Sequence, residues 1–311
     1  MAARPLRAAW RHSDHPTIEC WTGPIEVVHG PNFVVPPSRH GAEIVTIHDL
    51  TCIRFPQLCT PDTLRVPALL RRAIRRGAWI HTVSRSVAEE VIDAFDVDAS
   101  RVIVIPNGTA PMADESTVRS LRPLGHALAG AERYLLSLGT LEPRKDIPSL
   151  IAAFDLIAAG DPDLRLVLAG PDGWDADRVT DAIARSPFGR RIVRTGWLDD
   201  ADRDALVAGA EVFVYPSIYE GFGLPPLESL ALGTPVVATR VGALPEVLGD
   251  AAAWAEPSDP DSLAAAITSL LDDPTLVASL LTEGRRRVES HDWSASADAM
   301  ASLYSAVVDA R

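Results

Sequence analysis

Short apolar runs recur along the chain and alternate with longer stretches in which apolar positions return every three or four residues. The runs are IEVV (25–28), EIVTI (43–47), WIHTV (79–83) and RVIVI (101–105), followed by YLLSL (134–138), LRLVLA (164–169), RIVRT (191–195), EVFVY (211–215) and PVVAT (235–239). Between them lie PSLIAAFDLIAA, DRDALVAGA and PDSLAAAITSLLDD, which carry helical periodicity. Strands that are apolar from end to end and are separated by helices belong to parallel sheets covered on both faces. The pattern therefore predicts an α/β protein. Strand signal fails between 106 and 133, where turn residues accumulate, and this sets the expected boundary: a first domain over 1–112, a linker over 113–133 and a second domain over 134–290. In the tail, 291–311, Trp293, Ala297, Met300 and Tyr304 fall at helical spacing. That helix either closes the second domain or crosses back to the first.

Composition narrows the function classes. A chain of 311 residues has room for two domains, and its aromatic content of 6% indicates an aliphatic core. The net charge of −13 argues against a nucleic-acid partner. The charge is uneven: residues 1–112 hold 12 arginines against 11 acids, so the deficit lies in the second half. Three scattered cysteines without a CxxC pair argue against a disulfide framework or a zinc site. No apolar stretch reaches the length of a membrane span, and the N-terminal residues do not read as a secretion signal. These features give the expectation of a cytoplasmic protein, at most peripheral on the inner membrane face.

Chemistry concentrates in YPSIYEGFGLPPLESLALGTPVVAT, 215–239. A strand ends at Tyr215, a glycine-rich loop follows, and the prolines at 225 and 226 open a short helix expected over 226–232. Backbone N–H groups of such a loop, just before a helix, receive phosphate or other anions. Glu220 and Glu228 bracket the loop; two carboxylates beside a nest of amides suit a ligand that is both polyol and phosphate. A second strand–glycine–loop–helix unit, GTLEPRKD, contains Lys145, the single lysine among 29 basic residues. Asp146 is its expected N-cap. Both loops follow strands, and ligands of open α/β sheets bind at the strands' carboxyl ends. No GxxxxGK[ST] loop is present, nor a GxGxxG after a first strand, which argues against a P-loop nucleotidase and a dinucleotide-dependent dehydrogenase.

On these residues the chain resembles the family-4 retaining glycosyltransferases of the GT-B fold, two Rossmann-like domains facing across a cleft, and within them the O-antigen mannosyltransferase-like branch. Glu220 to Glu228, in the setting EGFGLPPLE, matches the family's E-x7-E motif; GTLEPRKD matches its donor-phosphate loop, VTIHDL its first-domain histidine motif and VIPNGT the segment before its linker. The resemblance implies that Lys145 neutralises the donor diphosphate, that Glu228 holds the ribose diol and that Glu220 contacts the transferred sugar. It implies that the amides of Phe222, Gly223 and Leu224 support sugar and phosphate, with Gly139 and Thr140 beside them. His48, with Asp49 less securely, would reach the sugar from the first domain, and Trp197 and Leu198, after Gly196, would border the base. Relatives carry an arginine five or six residues before the lysine; here those places hold Thr140 and Gly139, so either Arg144 substitutes or Lys145 and the amides act alone.

The implied reaction is transfer of a hexose, with retained anomeric configuration and no metal or other cofactor, from a nucleotide-diphosphate sugar to a glycan or lipid-linked acceptor, with GDP-mannose favoured over UDP-sugars. Relatives begin with a strand, helix and strand that have no counterpart before VVHGPNF. The first domain is therefore expected to be weakly stable with an exposed sheet edge, and the alternative reading is a nucleotide-sugar-binding protein without turnover. A dehydrogenase or a sugar-nucleotide epimerase finds less support. Finally, LLRRAIRRGAW places Arg71, Arg72, Arg75 and Arg76 on one helical stripe, read as a solvated face or as a peripheral contact with an anionic membrane.

Overall fold

The computed structural model describes residues 3–310. The chain divides into two compact units, Met1–Gly108 with Trp293–Arg311, and Thr109–Asp292. Each is a parallel sheet wrapped by helices, the α/β architecture that the run-and-helix pattern predicts. Among the described residues no single helix is long and apolar enough to cross a membrane.

In the first unit the strands β1 (Val27–Gly30), β2 (Ala42–Ile47), β3 (Trp79–Thr82) and β4 (Val102–Val104) lie parallel in the order of the chain, with β1 and β4 at the edges. Every residue of β2 is buried, because successive side chains point to opposite faces and both faces are covered. Val45, Ile47 and Ile80 pack with Leu70 and Val91 on one face. Ala42 and Ile44 pack on the other face with Leu303 and Val307 of the Trp293–Asp309 helix. The tail helix thus belongs to the first unit. Its buried stripe is Met300, Leu303, Tyr304 and Val307; Trp293 and Ala297, read as part of that stripe, are exposed.

A chain of hydrogen bonds crosses this sheet. His81 Nε2 lies 2.9 Å from the Ile105 carbonyl, His81 Nδ1 2.9 Å from Thr46 Oγ1, Thr46 Oγ1 2.7 Å from His29 Nε2, and His29 Nδ1 2.8 Å from Tyr304 Oη. A carbonyl only accepts, so Nε2 of His81 carries the proton and its Nδ1 accepts from the Thr46 hydroxyl. Thr46 oxygen then accepts from His29 Nε2–H, and Tyr304 donates to His29 Nδ1. Both rings are neutral in this pattern. Burial holds the pKa of each below the ordinary value, against the opposing pull of the Ile105 carbonyl in the case of His81.

The arginine stripe is not a uniform solvated face. Arg72 pairs with Asp14 at 2.7 Å, while Arg76 pairs with Glu43 at 2.7 Å and with Asp14 at 3.2 Å. The Arg71 guanidinium lies 5.7 Å from the Phe95 ring centre. Two of the four charges are therefore neutralised within the unit, because the helix Val66–Arg75 turns them towards acids distant in sequence.

The second unit contains β5 (Tyr134–Leu138), β6 (Arg165–Ala169), β7 (Ile192–Gly196), β8 (Val212–Tyr215), β9 (Val236–Thr239) and β10 (Ala252–Ala255), all parallel, in the order β10-β9-β8-β5-β6-β7. The strand β10 went unread because its alanines lack the β-branched signature. Order reverses between β5 and β8, and this switch point is where doubly wound sheets open a crevice for ligands.

The segment expected as a linker is instead mostly helix, Glu115–Ala129, capped by Asp114, whose carboxylate accepts from the Thr117 N–H at 2.7 Å. It packs on the Asp200–Gly209 helix, and a Cβ on Gly125 would come within 2.1 Å of the Ala205 carbonyl oxygen. Pro123 and Gly125 read as breakers; tertiary packing overrides that local preference. The helix expected at 226–232 spans Leu224–Ala231, so both prolines sit in the first turn, where their missing N–H groups would have no helical partner.

Candidate functional site

The loops after β5 and β8 meet at the switch point of the second sheet. After Leu138 the chain turns through Gly139, at φ 152°, directly beside the lysine stem: a Cβ there would make ordinary contact with Lys145 Cε at 3.4 Å. A short turn of helix, Pro143–Lys145, then delivers Arg144 and Lys145 before the helix Ile147–Ala158. Asp146 stands at the N-cap position with φ 46°, but its side chain makes no cap bond; its carboxylate accepts from the Ser258 hydroxyl at 2.8 Å. The expected cap is thus a tether to a distant loop.

Lys145 is buried. Its Nζ donates to Tyr215 Oη at 2.6 Å and to Glu220 Oε1 at 2.7 Å. The same Glu220 oxygen lies 2.5 Å from Arg144 Nη1 and accepts from the Ser217 hydroxyl at 2.8 Å. Arg144 also pairs with Glu142 at 2.5 Å and donates to the Tyr219 carbonyl at 2.9 Å. Burial alone would raise the Glu220 carboxyl, but Lys145 and Arg144 overcome it and hold the pKa at about 2. Burial lowers the Lys145 pKa and Arg144 adds to that, with Glu220 opposing. The result is a desolvated cluster of two cations and an ionised carboxylate.

The backbone of the EGFG loop is braced from below. Ala243 N–H donates to the Glu220 carbonyl at 2.9 Å, and Gly242 has φ 50° with no room for a Cβ, which would fall 2.1 Å from that carbonyl oxygen. Gly223 takes φ 105° just before Leu224 starts the helix, as its place at the helix entrance requires. The Phe222 ring is buried edge-on against His291 at 5.6 Å. Glu228 lies on the second turn of that helix, half-buried and separate from the Glu220 cluster. Its carboxylate accepts no hydrogen bond among the described residues. Burial raises its pKa, Arg203 opposes, and Asp204 and Asp200 add to the rise.

The loops after β6 and β7 continue the same edge. Gly170 N–H donates to the Gly196 carbonyl at 2.9 Å, and a Cβ on Gly170 would strike the Gly139 carbonyl oxygen, so the three loops are in close contact. Thr140 borders Gly173 of the β6 loop. Trp197 follows Gly196 and is 73% exposed, an unusual cost for so large an apolar ring; Leu198 beside it is half-buried.

His48 belongs to the first unit, at the end of β2. Its Nε2 donates to the Pro31 carbonyl at 2.8 Å and its ring stands edge-on to Phe33 at 5.7 Å. Phe33 has φ 60°, a strained value for a bulky residue, in the HGPNF loop. Asp49 caps its own turn, accepting from the Thr51 N–H at 2.8 Å.

The structure therefore brings Lys145, Arg144, Glu220, Gly139, Thr140, Phe222, Gly223 and Leu224 to one sheet edge, with Trp197 and Leu198 further along it, and leaves Glu228 outside the charge cluster. Sequence reasoning missed Tyr215, Ser217 and Gly242. The first two stood in the quoted motif but carried no signal, because hydroxyls gain a role only once folding shows what they face.

Comparison with known proteins places the chain in a family. Residues 125–287 match the family model of glycosyl transferases group 1, and residues 7–111 match that of Glycosyltransferase Family 4. The chain is 32% identical over 293 residues to O-antigen chain mannosyltransferase B of Escherichia coli, across 93% of this chain and 74% of that one. It is 32% identical over 239 residues to MMP alpha-(1->4)-mannosyltransferase of Mycolicibacterium hassiacum, across 75% of this chain and 55% of that one, about half the relative's length. Among solved structures, sucrose-phosphate synthase from Thermosynechococcus elongatus superposes with a TM-score of 0.75 at 26% identity, across 94% of this chain and 76% of that one.

Proposed function

The chain belongs to the group 1 glycosyl transferases, enzymes of the GT-B fold that use nucleotide sugars, and from that premise we propose that it moves mannose from GDP-mannose to a glycan or lipid-linked acceptor with retention and without a metal ion. The observation that carries the proposal is the buried Lys145, Arg144 and Glu220 cluster at the switch point of the second sheet. Two cations in a desolvated pocket suit a departing diphosphate, since electrostatic stabilisation is stronger where water is excluded. Neighbouring strands are about 4.8 Å apart, so the β7 loop lies roughly 10 Å from the β5 loop. A nucleoside diphosphate laid along this edge would put its phosphates on Lys145 and its base near exposed Trp197.

In this reading the glycosidic C–O bond to the diphosphate breaks as the acceptor oxygen bonds the anomeric carbon on the same face. The acceptor proton passes to the departing phosphate oxygen. Lys145, Arg144 and the amides of Phe222, Gly223 and Leu224 carry the charge that develops. Glu220 orients the sugar hydroxyls, and the unpartnered Glu228 carboxylate accepts from the ribose diol. Mannose is favoured because both named relatives above are mannosyltransferases.

The test is calorimetric titration of the chain with GDP and with UDP, with Lys145→Ala in parallel. GDP is expected to bind the wild type at least tenfold more tightly than UDP, and the variant to lose at least tenfold, about 1.4 kcal/mol. Equal affinity for the two nucleotides refutes the donor assignment. Equal affinity of wild type and variant refutes the site.

A further inference from the structure

We propose that Tyr215 is the positioning residue of this site: it aims the Lys145 ammonium and keeps it charged for the donor diphosphate. The inference rests on the reading of Lys145 given above and adds a residue to it. Tyr215 is the last residue of β8, with a buried side chain and its ring stacked on Phe213 at 6.1 Å. Its Oη lies 2.6 Å from Lys145 Nζ, and the Nζ lies 4.2 Å from the ring centre. The ionised Glu220 carboxylate, bound to the same Nζ, raises the pKa of the phenol on top of its burial. An ammonium only donates, so the Tyr215 oxygen accepts from the lysine.

This arrangement has two consequences. An ammonium has three N–H bonds at tetrahedral angles. Two are committed to Tyr215 and Glu220, so the direction of the third is set, and among the described residues it has no further acceptor. The second consequence concerns charge. Burial favours loss of the lysine proton and Arg144 adds to it, while Glu220 and Glu142 favour keeping it; the Tyr215 oxygen, accepting from Nζ, bonds the charged form as well. A second carboxylate in place of Tyr215 would hold the ammonium too, but would repel a diphosphate. A phenol supplies an acceptor without net charge, and burial pushes its own pKa well up, so it stays neutral.

The chain's single lysine makes the test direct. The rate of Lys145 acetylation, read by mass spectrometry across about pH 6 to 10, reports its pKa, and titration with GDP and UDP over the same range reports the site. Tyr215→Phe deletes one oxygen and keeps the ring packing. Tyr134→Phe is the control: it deletes another buried hydroxyl, which donates to the Leu206 carbonyl at 2.6 Å in the same unit. The expected result in Tyr215→Phe is a fall of about one unit in the Lys145 pKa and about tenfold weaker nucleotide binding on the alkaline side, with no such shift in the control. A Lys145 pKa equal in the two variants overturns the inference. A pKa that falls while nucleotide binding is unchanged, in Tyr215→Phe and in Lys145→Ala alike, overturns instead the assignment of Lys145 to the diphosphate, and the positioning role with it.

Discussion

Glu220→Gln isolates the charge balance of the cluster. The substitution keeps shape and an accepting oxygen for Ser217 and Lys145 but removes the carboxylate that both Lys145 and Arg144 contact. Removing one partner of a buried pair costs about 3–5 kcal/mol. The retained amide and the Glu142 partner of Arg144 put this case at the lower end, about 3 kcal/mol. For a unit of about 150–250 residues this corresponds to a fall in Tm of about 6–12 °C. The assay is scanning calorimetry of the full chain, without and with inorganic diphosphate. Diphosphate is expected to raise the Tm of the variant more than that of the wild type, because in the variant the Glu220 carboxylate no longer competes for the two cations and only Glu142 remains on Arg144. The cost also depends on pH. Glu220 has its pKa lowered from 4.5 to about 2, so its contribution is present above pH 4.5 and is lost as pH falls towards 2. The gap between wild type and variant should therefore close over that window. A change in Tm below about 2 °C, or equal gains from diphosphate in both proteins, would refute the reasoning.

Three further outcomes concern the first unit. Thr46→Val leaves the His29 Nε2–H and the His81 Nδ1 without partners and is expected to cost about 2–4 kcal/mol by denaturant titration. Because the folded pKa of both rings is lowered, the unfolded state takes up protons first; stability is full above about pH 6.5 and falls below it, an acid limb that Tyr304→Phe should shift. A flat profile between about pH 7 and 5 would show that the rings are not held neutral. His48→Ala is expected to lower kcat at least tenfold, the scale of a lost transition-state contact, while leaving nucleotide affinity unchanged; equal loss in both would place His48 on the nucleotide instead.

Much of the site was legible because its physics is local. Glycine before a helix start, prolines in a first turn, and one lysine in an otherwise arginine-only chain depend on neighbours a few residues away. The end-to-end apolar runs likewise announced strands buried on both faces, whichever strands they pair with. Other features depended on residues far apart in sequence. Asp146 has the right type and place for a cap, yet its carboxylate goes to Ser258, which no pattern near it encodes. The 115–129 segment reads as a broken linker until Gly125 meets Ala205.

The sequence by itself determined the elements and the residue types at the sheet's edge, since hydrophobic period, turn chemistry and motif spacing act over short distances. Tertiary structure alone decided which groups share charge and protons. Lys145 finds Tyr215 and Glu220 some seventy residues on because β5 and β8 are neighbours at the point where strand order reverses. His29, Thr46, His81 and Tyr304 form one relay because three strands and the tail helix lie side by side. Desolvation gives such contacts their strength, and it exists only once the sheets have closed.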